Sequence, residues 1–276
     1  MTDPSHEQIE RIAELMAGGE SALLTGAGVS TDSGLPDYRG AGTPPRRPMD
    51  IAEFMTDPAY RRRFWAGARV GAMRWGEILP NAGHLAITRL ETAGLLTGVL
   101  TQNVDGLHRS AGTSTLVELH GRGSVIRCVT CTSEQTRTAT LEDFDRLNPG
   151  FALLHADAEI APDGDALVSD VDEVQVPHCP VCGGILRPDV VYFGELVPRE
   201  VFTAAARIVE DSSALIVAGS SLAVNTGVRL LRQAQRAGLP VIVINRGPTK
   251  ADAAAAVRIH AGTTETLSAL AERLIL

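Results

Sequence analysis

Apolar residues in the opening stretch recur at Ile9, Ile12, Ala13, Leu15 and Met16, the three-and-four spacing of a helix buried along one face. Gly18 and Gly19 end it. "SALLTG" follows as a short apolar run that stops at glycine, and similar runs recur in "LLTGVLTQN", "SALIVAGSS" and "LPVIVINRG". Each predicts a brief strand ending at Gly, Asn or Ser. Between them lie segments of helical period: "LAITRLETAG", "EVFTAAARIVED", "TGVRLLRQAQRAG" and, at the C-terminus, "TTETLSALAERLIL". Strand–helix alternation of this kind predicts an α/β fold, a mostly parallel sheet covered on both faces. Ligands of such sheets bind at the carboxyl ends of the strands, which is where the polar stretches sit.

Two segments break the pattern. Residues 41–80 are rich in Arg, Pro, Met and Trp and contain the helical-looking "AYRRRFWAGARVGAMRW". Residues 127–186 hold all four cysteines, and their middle, "ADAEIAPDGDALVSDVDEVQVP", is acidic and turn-rich, which predicts an exposed excursion. The expected organisation is therefore a sheet domain from residues 1–40, 81–126 and 187–276, a helical insertion at 41–80 and a cysteine module at 127–186.

A formal charge of −8 argues against a nucleic-acid binder that relies on a general basic field. The one basic knot, Arg46–Arg47 and Arg61–Arg63, reads as a solvated helix face. No apolar run approaches the roughly 20 residues that span a membrane. The N-terminus lacks the basic start and apolar core of a secretory signal and is not an arginine-rich transit sequence. The expectation is a cytoplasmic protein with neither nucleic acid nor membrane as partner.

The cysteines come in two pairs, Cys128 and Cys131 in "CVTC", Cys179 and Cys182 in "CPVC". In a reducing compartment, two such pairs read as four thiolates around zinc. The alternative is two unrelated redox or core pairs. Against it, no cysteine is left over, and "CPVCGG" supplies glycines where backbone must turn around a metal-bound sulfur. Four protein ligands leave no open position, so this zinc would be structural, not catalytic.

"GAGVSTDSGLPDYRG", Gly26–Gly40, opens like a dinucleotide-binding loop. The third glycine of a dehydrogenase fingerprint would fall at Thr31, and no second strand ends in an acidic residue about 20 positions on. The amides of Gly26, Ala27 and Gly28 suit a diphosphate, but the loop that follows must do more than start a helix. Further on come "TQNVDGLH" (Thr101–His108), "ELHG" with His120, the cysteine pairs, "RPDVVYFGE" (Arg187–Glu195), "GSSL" (Gly219–Leu222) and "VINRG" (Val243–Gly247). In this order, over roughly Glu20 to Gly262, they resemble the sirtuins, the Sir2 family of NAD-dependent protein deacylases. "PDYRG", "PNAGH" and "CGGILRPDVVYFGE" look most like the class II subgroup, the relatives of mitochondrial sirtuin four.

The resemblance implies a Rossmann-like large domain and a small domain made of the helical insertion and the four-cysteine zinc module, with NAD and an acyl-lysine protein meeting between them. It implies release of nicotinamide and transfer of the acyl group to ADP-ribose. His120 would be the general base, a role suited to imidazole. Gln102 and Asn103 would bind ribose and an ordered water, Asn103 taking part in catalysis, and Asp105 would receive the nicotinamide carboxamide. Taken alone, "TQNVDGLH" is equally a strand-end turn. Gly26, Ala27, Gly28, Ser30, Thr31, Pro36, Asp37, Tyr38 and Arg39 would form a lid over the dinucleotide. Gly219, Ser220 and Ser221 would contact phosphate or ribose, and Asn245, Arg246, Gly247 and Ala261 the adenosine end. Val190, Val191, Phe193, Gly194 and Glu195 on one side, and Leu222 and Val224 on the other, would pair with the substrate backbone as an added strand.

Sirtuins that accept acidic acyl chains carry a Tyr-x-x-Arg pair on the helical insertion. Aligned from "PNAGH", those positions are Phe64 and Gly67, so the clamp is absent, although "YRRR" (Tyr60–Arg63) offers the same spacing one turn earlier. Three other functions compete. An NAD oxidoreductase with a structural zinc would need a hydride acceptor and a ribose-binding acid. A zinc-ribbon binder would turn nothing over. Protein mono-ADP-ribosyl transfer would use the same NAD cleavage with a different nucleophile.

Overall fold

A computed structural model of the chain describes residues 4–37, 50–74, 78–159 and 165–275. Tyr38, Arg39, Arg46, Arg47 and the rest of the loop up to 49 lie outside the described residues, as do 160–164 of the acidic stretch. The chain divides into two units: the described residues within Met1–Gly42, Leu79–His120 and Val197–Leu276, and those within Thr43–Ile78 and Gly121–Leu196.

The first unit is built on a six-stranded parallel sheet. Its strands are β1 (Ser21–Thr25), β2 (Leu96–Thr101), β3 (Leu116–Glu118), β7 (Ala214–Ala218), β8 (Val241–Ile244) and β9 (Ala255–Ile259). They lie in the order β3-β2-β1-β7-β8-β9. The chain therefore runs outward from β1 to one edge, returns, and runs outward from β7 to the other, the dinucleotide-binding winding with its switch point between β1 and β7. Side-chain alternation divides the core. Leu23, Val99, Ile216 and Ile242 face the helices His6–Met16, Ala82–Thr92 and Thr263–Ile275. Leu24, Leu100, Val217 and Val243 face Arg199–Glu210 and Asn225–Arg236. Two-sided burial is what their uninterrupted apolar runs require. The first helix begins with a capping box in which Ser5 and Gln8 satisfy each other's backbone N–H groups.

The second unit contains an antiparallel sheet of β4 (Gly121–Cys128), β5 (Glu134–Thr136) and β6 (Leu186–Val190), ordered β5-β4-β6. Helices Pro58–Arg74 and Arg137–Leu147 pack with it around Phe54, Trp65, Ile126, Phe144 and Leu186. Here two expectations are corrected. The acidic stretch is not wholly an exposed excursion, because Ala166, Val168, Val171 and Val174 are buried in this core. A sheet this small cannot cover the long helix, so the loop lays its apolar side chains against it, anchored by the Ala166 N–H donating to the Gly67 carbonyl at 2.9 Å. Nor are the described arginines of the basic knot a wholly solvated face. Arg61 donates to the Phe54 and Met55 carbonyls at 2.7 and 2.9 Å, at the end of helix Ile51–Thr56, and only Arg63 of the three is exposed.

Candidate active site and metal centre

The carboxyl ends of β1 and β7 approach each other through glycine alone. The Gly28 N–H donates to the Gly219 carbonyl at 2.9 Å. Gly219 has φ +63, and a Cβ there would lie 2.5 Å from the Val29 nitrogen. No side chain fits on either strand end. The Gly26 N–H is likewise taken, donating to Ala218 at 3.1 Å. The amides of Gly26 and Gly28, expected to meet a diphosphate, thus donate within the fold, and these glycines serve to bring two backbones together. After them the chain makes two 3-10 turns, Ala27–Val29 and Thr31–Ser33, in place of a helix.

Above this junction the polar side chains interlock. Asn103 Nδ2 donates to the Gly26 carbonyl (3.2 Å) and to Ser30 Oγ (3.1 Å), and Ser30 Oγ donates to Asp105 Oδ2 (2.7 Å). Asp105 also caps the short helix Leu107–Ser110 by accepting from the Leu107 N–H. Gln102 Nε2 donates to Ser220 Oγ at 2.7 Å, so the ends of β2 and β7 are tied across β1. Three strand ends therefore carry two hydrogen-bonded groups, Ser30 with Asn103 and Asp105, and Gln102 with Ser220.

His120 follows β3 and is half-buried. Its Nδ1 lies 2.9 Å from the Gln102 carbonyl oxygen. A carbonyl only accepts, so Nδ1 carries the proton and Nε2 holds the lone pair. Burial, partly offset by that bond, keeps its pKa below the ordinary imidazole value. The result is a neutral ring with a fixed tautomer, the state in which a general base waits.

The other predicted positions are placed as follows. Thr31 donates its hydroxyl to the Gly28 carbonyl at 3.1 Å, and Pro36 and Asp37 are half-exposed at the end of the described loop. Asn245 Nδ2 donates to Gly247 at 2.7 Å, and Arg246 pairs with Glu265 at 3.2 Å. Ala261 is buried in the core beside β9. In the second unit, β6 ends at Val190. Beyond it the chain turns, where an extended edge was expected: Gly194 has φ +92, the Glu195 N–H donates to Tyr192, and Arg187 binds Glu195 in a fork at 2.6 and 2.7 Å.

Three residues escaped the sequence reading. Asn81 caps helix Ala82–Thr92 and donates to the Val29 carbonyl and Ser33 Oγ, fastening the loop after β1. The "PNAGH" context and an Asn at an N-cap position were its signal. His84 and His108 are fully enclosed, with ring centroids 4.9 Å apart, and His108 Nε2 lies 2.9 Å from Thr25 Oγ1. Burial pushes His108 down to about 3. Nothing in the sequence says that two such distant histidines meet.

The four cysteine sulfurs all lie within 4.8 Å of one another. Cys128–Cys182 and Cys131–Cys179 are separated by 3.5 and 3.6 Å. A tetrahedral zinc with Zn–S bonds of about 2.3 Å requires sulfurs roughly 3.8 Å apart, so the set fits the ion. The Thr130 N–H points to Cys128 Sγ at 3.4 Å, and Ser133 Oγ lies between Cys131 and Cys179. Its hydroxyl favours the thiolate of Cys179.

Comparison with known proteins agrees with this geometry. A family model described as "Sir2 family" matches residues 26–226. NAD-dependent protein deacetylase 1 of Mycobacterium avium (strain 104) is 45% identical over 278 residues, covering 99% of this chain and 98% of that protein. NAD-dependent protein deacylase SIR4 of Monosiga brevicollis is 42% identical, covering 83% of this chain and 76% of the relative. A structure described as "Structural Basis for the Mechanism and Regulation of Sir2 Enzymes" superposes with a TM-score of 0.77 at 30% identity, over 98% of this chain and 99% of the other. A structure of Sir2 with a p53 peptide and NAD+ gives 0.74 at 29% identity, over 96% and 98%. With a family model spanning most of its length and a relative nearly half identical from end to end, the protein belongs to the Sir2 family, the sirtuins.

Proposed function

We propose that this chain is an NAD-dependent protein lysine deacylase in which His120 is the general base. The observation that carries the reading is the His120–Gln102 bond, which leaves a lone-pair imidazole nitrogen beside the polar cluster at the strand ends. NAD, when bound, supplies an electrophilic ribose carbon with nicotinamide as leaving group, and the ribose hydroxyls that receive the acyl group. The donor set suits it: amides, hydroxyls and one carboxylate match the hydroxyls of a sugar and a carboxamide, and they sit at the sheet's switch point.

The residues then divide the work. Ser30, Asn103 and Asp105 hold one another rigid, so each presents its remaining hydrogen-bonding capacity in a fixed direction. Preorganisation of this kind lowers the barrier by sparing reorientation during the reaction. His120 Nε2 takes the proton from a ribose hydroxyl, and the Gln102 carbonyl stabilises the imidazolium that results. Asn245 to Gly247 hold the adenosine end. Their loop is braced by Arg258, which donates to the Asn245 and Gly247 carbonyls at 2.6 and 2.7 Å. Leu222–Val224 pair with the extended acyl-lysine peptide through main-chain bonds, which gives loose sequence preference. Zinc on Cys128, Cys131, Cys179 and Cys182 holds the second unit together and leaves no position for substrate.

The acyl group is neutral. At Gly67, where acidic-acyl sirtuins place arginine, a Cβ would lie 2.5 Å from the Ala166 carbonyl oxygen, so no side chain of any kind fits. The alternative pair is occupied: Arg63 meets Asp57 at 3.5 Å and stacks over Tyr60 at 5.8 Å. A carboxylated chain would be buried without a cation. One peptide carrying acetyl, succinyl, lipoyl or long-chain acyl on its lysine tests the reading. Nicotinamide release with loss of the neutral acyl groups supports it. NAD turnover that instead labels protein with ADP-ribose would replace it.

A further inference from the structure

Lys250 is the single lysine among the 25 Lys and Arg residues of the chain, and it grips the segment that the proposed function assigns to the substrate backbone. Its N–H donates to the Ser221 carbonyl at 3.2 Å, and its Nζ to the Ala223 carbonyl at 3.1 Å. The residue between those carbonyls, Leu222, has φ +53. Among the described residues only Thr132 shares that property outside glycine. A branched side chain in the left-handed region is strained and persists only where its surroundings enforce it. Leu222 is fully buried against Gly227, and its N–H donates to Ser220 Oγ. Lys250 closes the other side of the same strained residue.

The lysine is itself held in place. Residues 249–252 form a tight turn in which the Thr249 N–H donates to Asp252 Oδ2 and the Ala251 N–H to Thr249 Oγ1. The side chain is exposed to solvent and therefore open to reagents.

We propose that Lys250 is an acylation site through which the peptide-pairing segment is switched off. An acyl thioester suffices as donor: the deprotonated Nζ attacks its carbonyl carbon, the C–N bond forms, the C–S bond breaks, and the proton lost from nitrogen leaves with the thiol. The ammonium, with three donors and a charge, becomes a neutral amide with one N–H and added bulk. The charge-assisted hold on Ala223 is lost, Leu222 is released towards an ordinary backbone conformation, and the segment proposed to pair with substrate loses its shape. The mark resists removal by the same activity, because substrate pairing needs an extended backbone and the turn at 249–252 denies it. An enzyme that strips acyl groups from lysine would thus carry one lysine of its own, placed where acylation reports on the acyl-donor supply.

The inference rests on the peptide-pairing role proposed for Leu222–Val224. Its test is the full chain with Nε-acetyl-lysine installed at position 250, compared with the unmodified protein by initial rates on an acetyl-lysine peptide. The expected result is a KM for peptide raised at least fivefold and a KM for NAD changed less than twofold. Incubation of unmodified protein with an acetyl thioester should add one acetyl group at Lys250, read by intact mass and peptide mapping. K250A should raise the peptide KM in the same way, and K250R should restore it relative to K250A. A merely structural role would lower thermal stability without separating the two KM values. An acetylated protein with the unmodified peptide KM overturns the inference and leaves the deacylase reading standing. Unmodified protein that deacylates no peptide at all overturns the deacylase reading first, and this inference with it.

Discussion

Nδ1 of His120 and the carbonyl oxygen of Gln102 are 2.9 Å apart, and that bond decides which ring nitrogen is basic. Gln102 also reaches Ser220 just beyond β7, so the orientation of the proposed base is coupled to the junction between the central strands. Replacing His120 with Ala should lower deacylation by roughly 10²–10⁴-fold, the usual worth of a positioned base. Thermal unfolding should stay close to that of the unaltered protein, since His120 is only half-buried. Nicotinamide and deacylated peptide measured together check it, and substantial residual turnover would show that the base lies elsewhere.

The pH profile follows from the same residue. Burial lowers the His120 pKa, so the ring is neutral and competent at pH 7 and is lost as a base only when acid protonates it. The kcat/KM for acyl-peptide should therefore be flat near pH 7, with its acid limb centred below about 6.5, the ordinary histidine value. A limb centred above pH 7 would mean that some other group, or a solvated His120, controls the rate.

Zinc removal should act on the second unit. The four sulfurs draw together β4, which ends at Cys128, and the segment leading into β6, so thiolates without metal would repel and the core around Trp65 and Phe144 would lose its brace. In zinc-dependent peptides the metal contributes about 10–16 kcal/mol to folding. Replacing Cys128 and Cys131 with Ala should give a metal-free protein that has lost cooperative unfolding of this unit. Elemental analysis and hydrogen exchange across 121–196 provide the check, and full protection without zinc would contradict it.

What the sequence made legible follows a physical divide. β1, β2, β7 and β8 are apolar on both faces, so their pattern announces them; β9, "AAVRI" preceded by two further alanines, looks as much like helix as strand. β3, three residues at the sheet edge, offers too little pattern to read. Family motifs suggested candidate site residues, yet not their arrangement, because which amide binds ligand and which binds protein depends on partners far away in the chain. Gly26 and Gly28 donate to Ala218, the last residue of β7, and to Gly219 just beyond it, and no local signal encodes that. Val168, Val171 and Val174 were hidden for a related reason: in an irregular loop, burial has no period.

Gly67 should tolerate nothing larger. Gly67→Ala places a Cβ against the Ala166 carbonyl oxygen at 2.5 Å, a backbone clash that cannot be relieved by rotating a side chain. Overpacking of this sort costs about 1–3 kcal/mol. The variant should unfold at lower denaturant. In the unaltered enzyme a succinyl-lysine peptide should turn over at least tenfold more slowly than its acetyl counterpart. Comparable rates on the two would mean that a cation reaches the acyl group from outside this helix.

The enclosed histidines predict how acid acts on the first unit. His108 has a folded pKa of about 3, because burial disfavours its charge and His84 repels it, while an unfolded chain titrates near 6.5. Between those values the unfolded state binds a proton that the folded state refuses. The stabilisation is thus complete above pH 6.5 and declines as pH falls towards 3, by up to about 1.4 kcal/mol per pH unit. His84, also lowered by burial, steepens the same window. Urea unfolding at pH 7.5 and 5.5 should show the folded state weaker at the lower pH. His108→Phe keeps a buried ring but removes one titration, and sacrifices the Thr25 bond equally at both pH values. Its stability difference between the two pH values should therefore shrink by about 1 kcal/mol. An unchanged difference would show that His108 is protonated in the folded protein, which would require a partner for its second nitrogen, for which the described residues offer none.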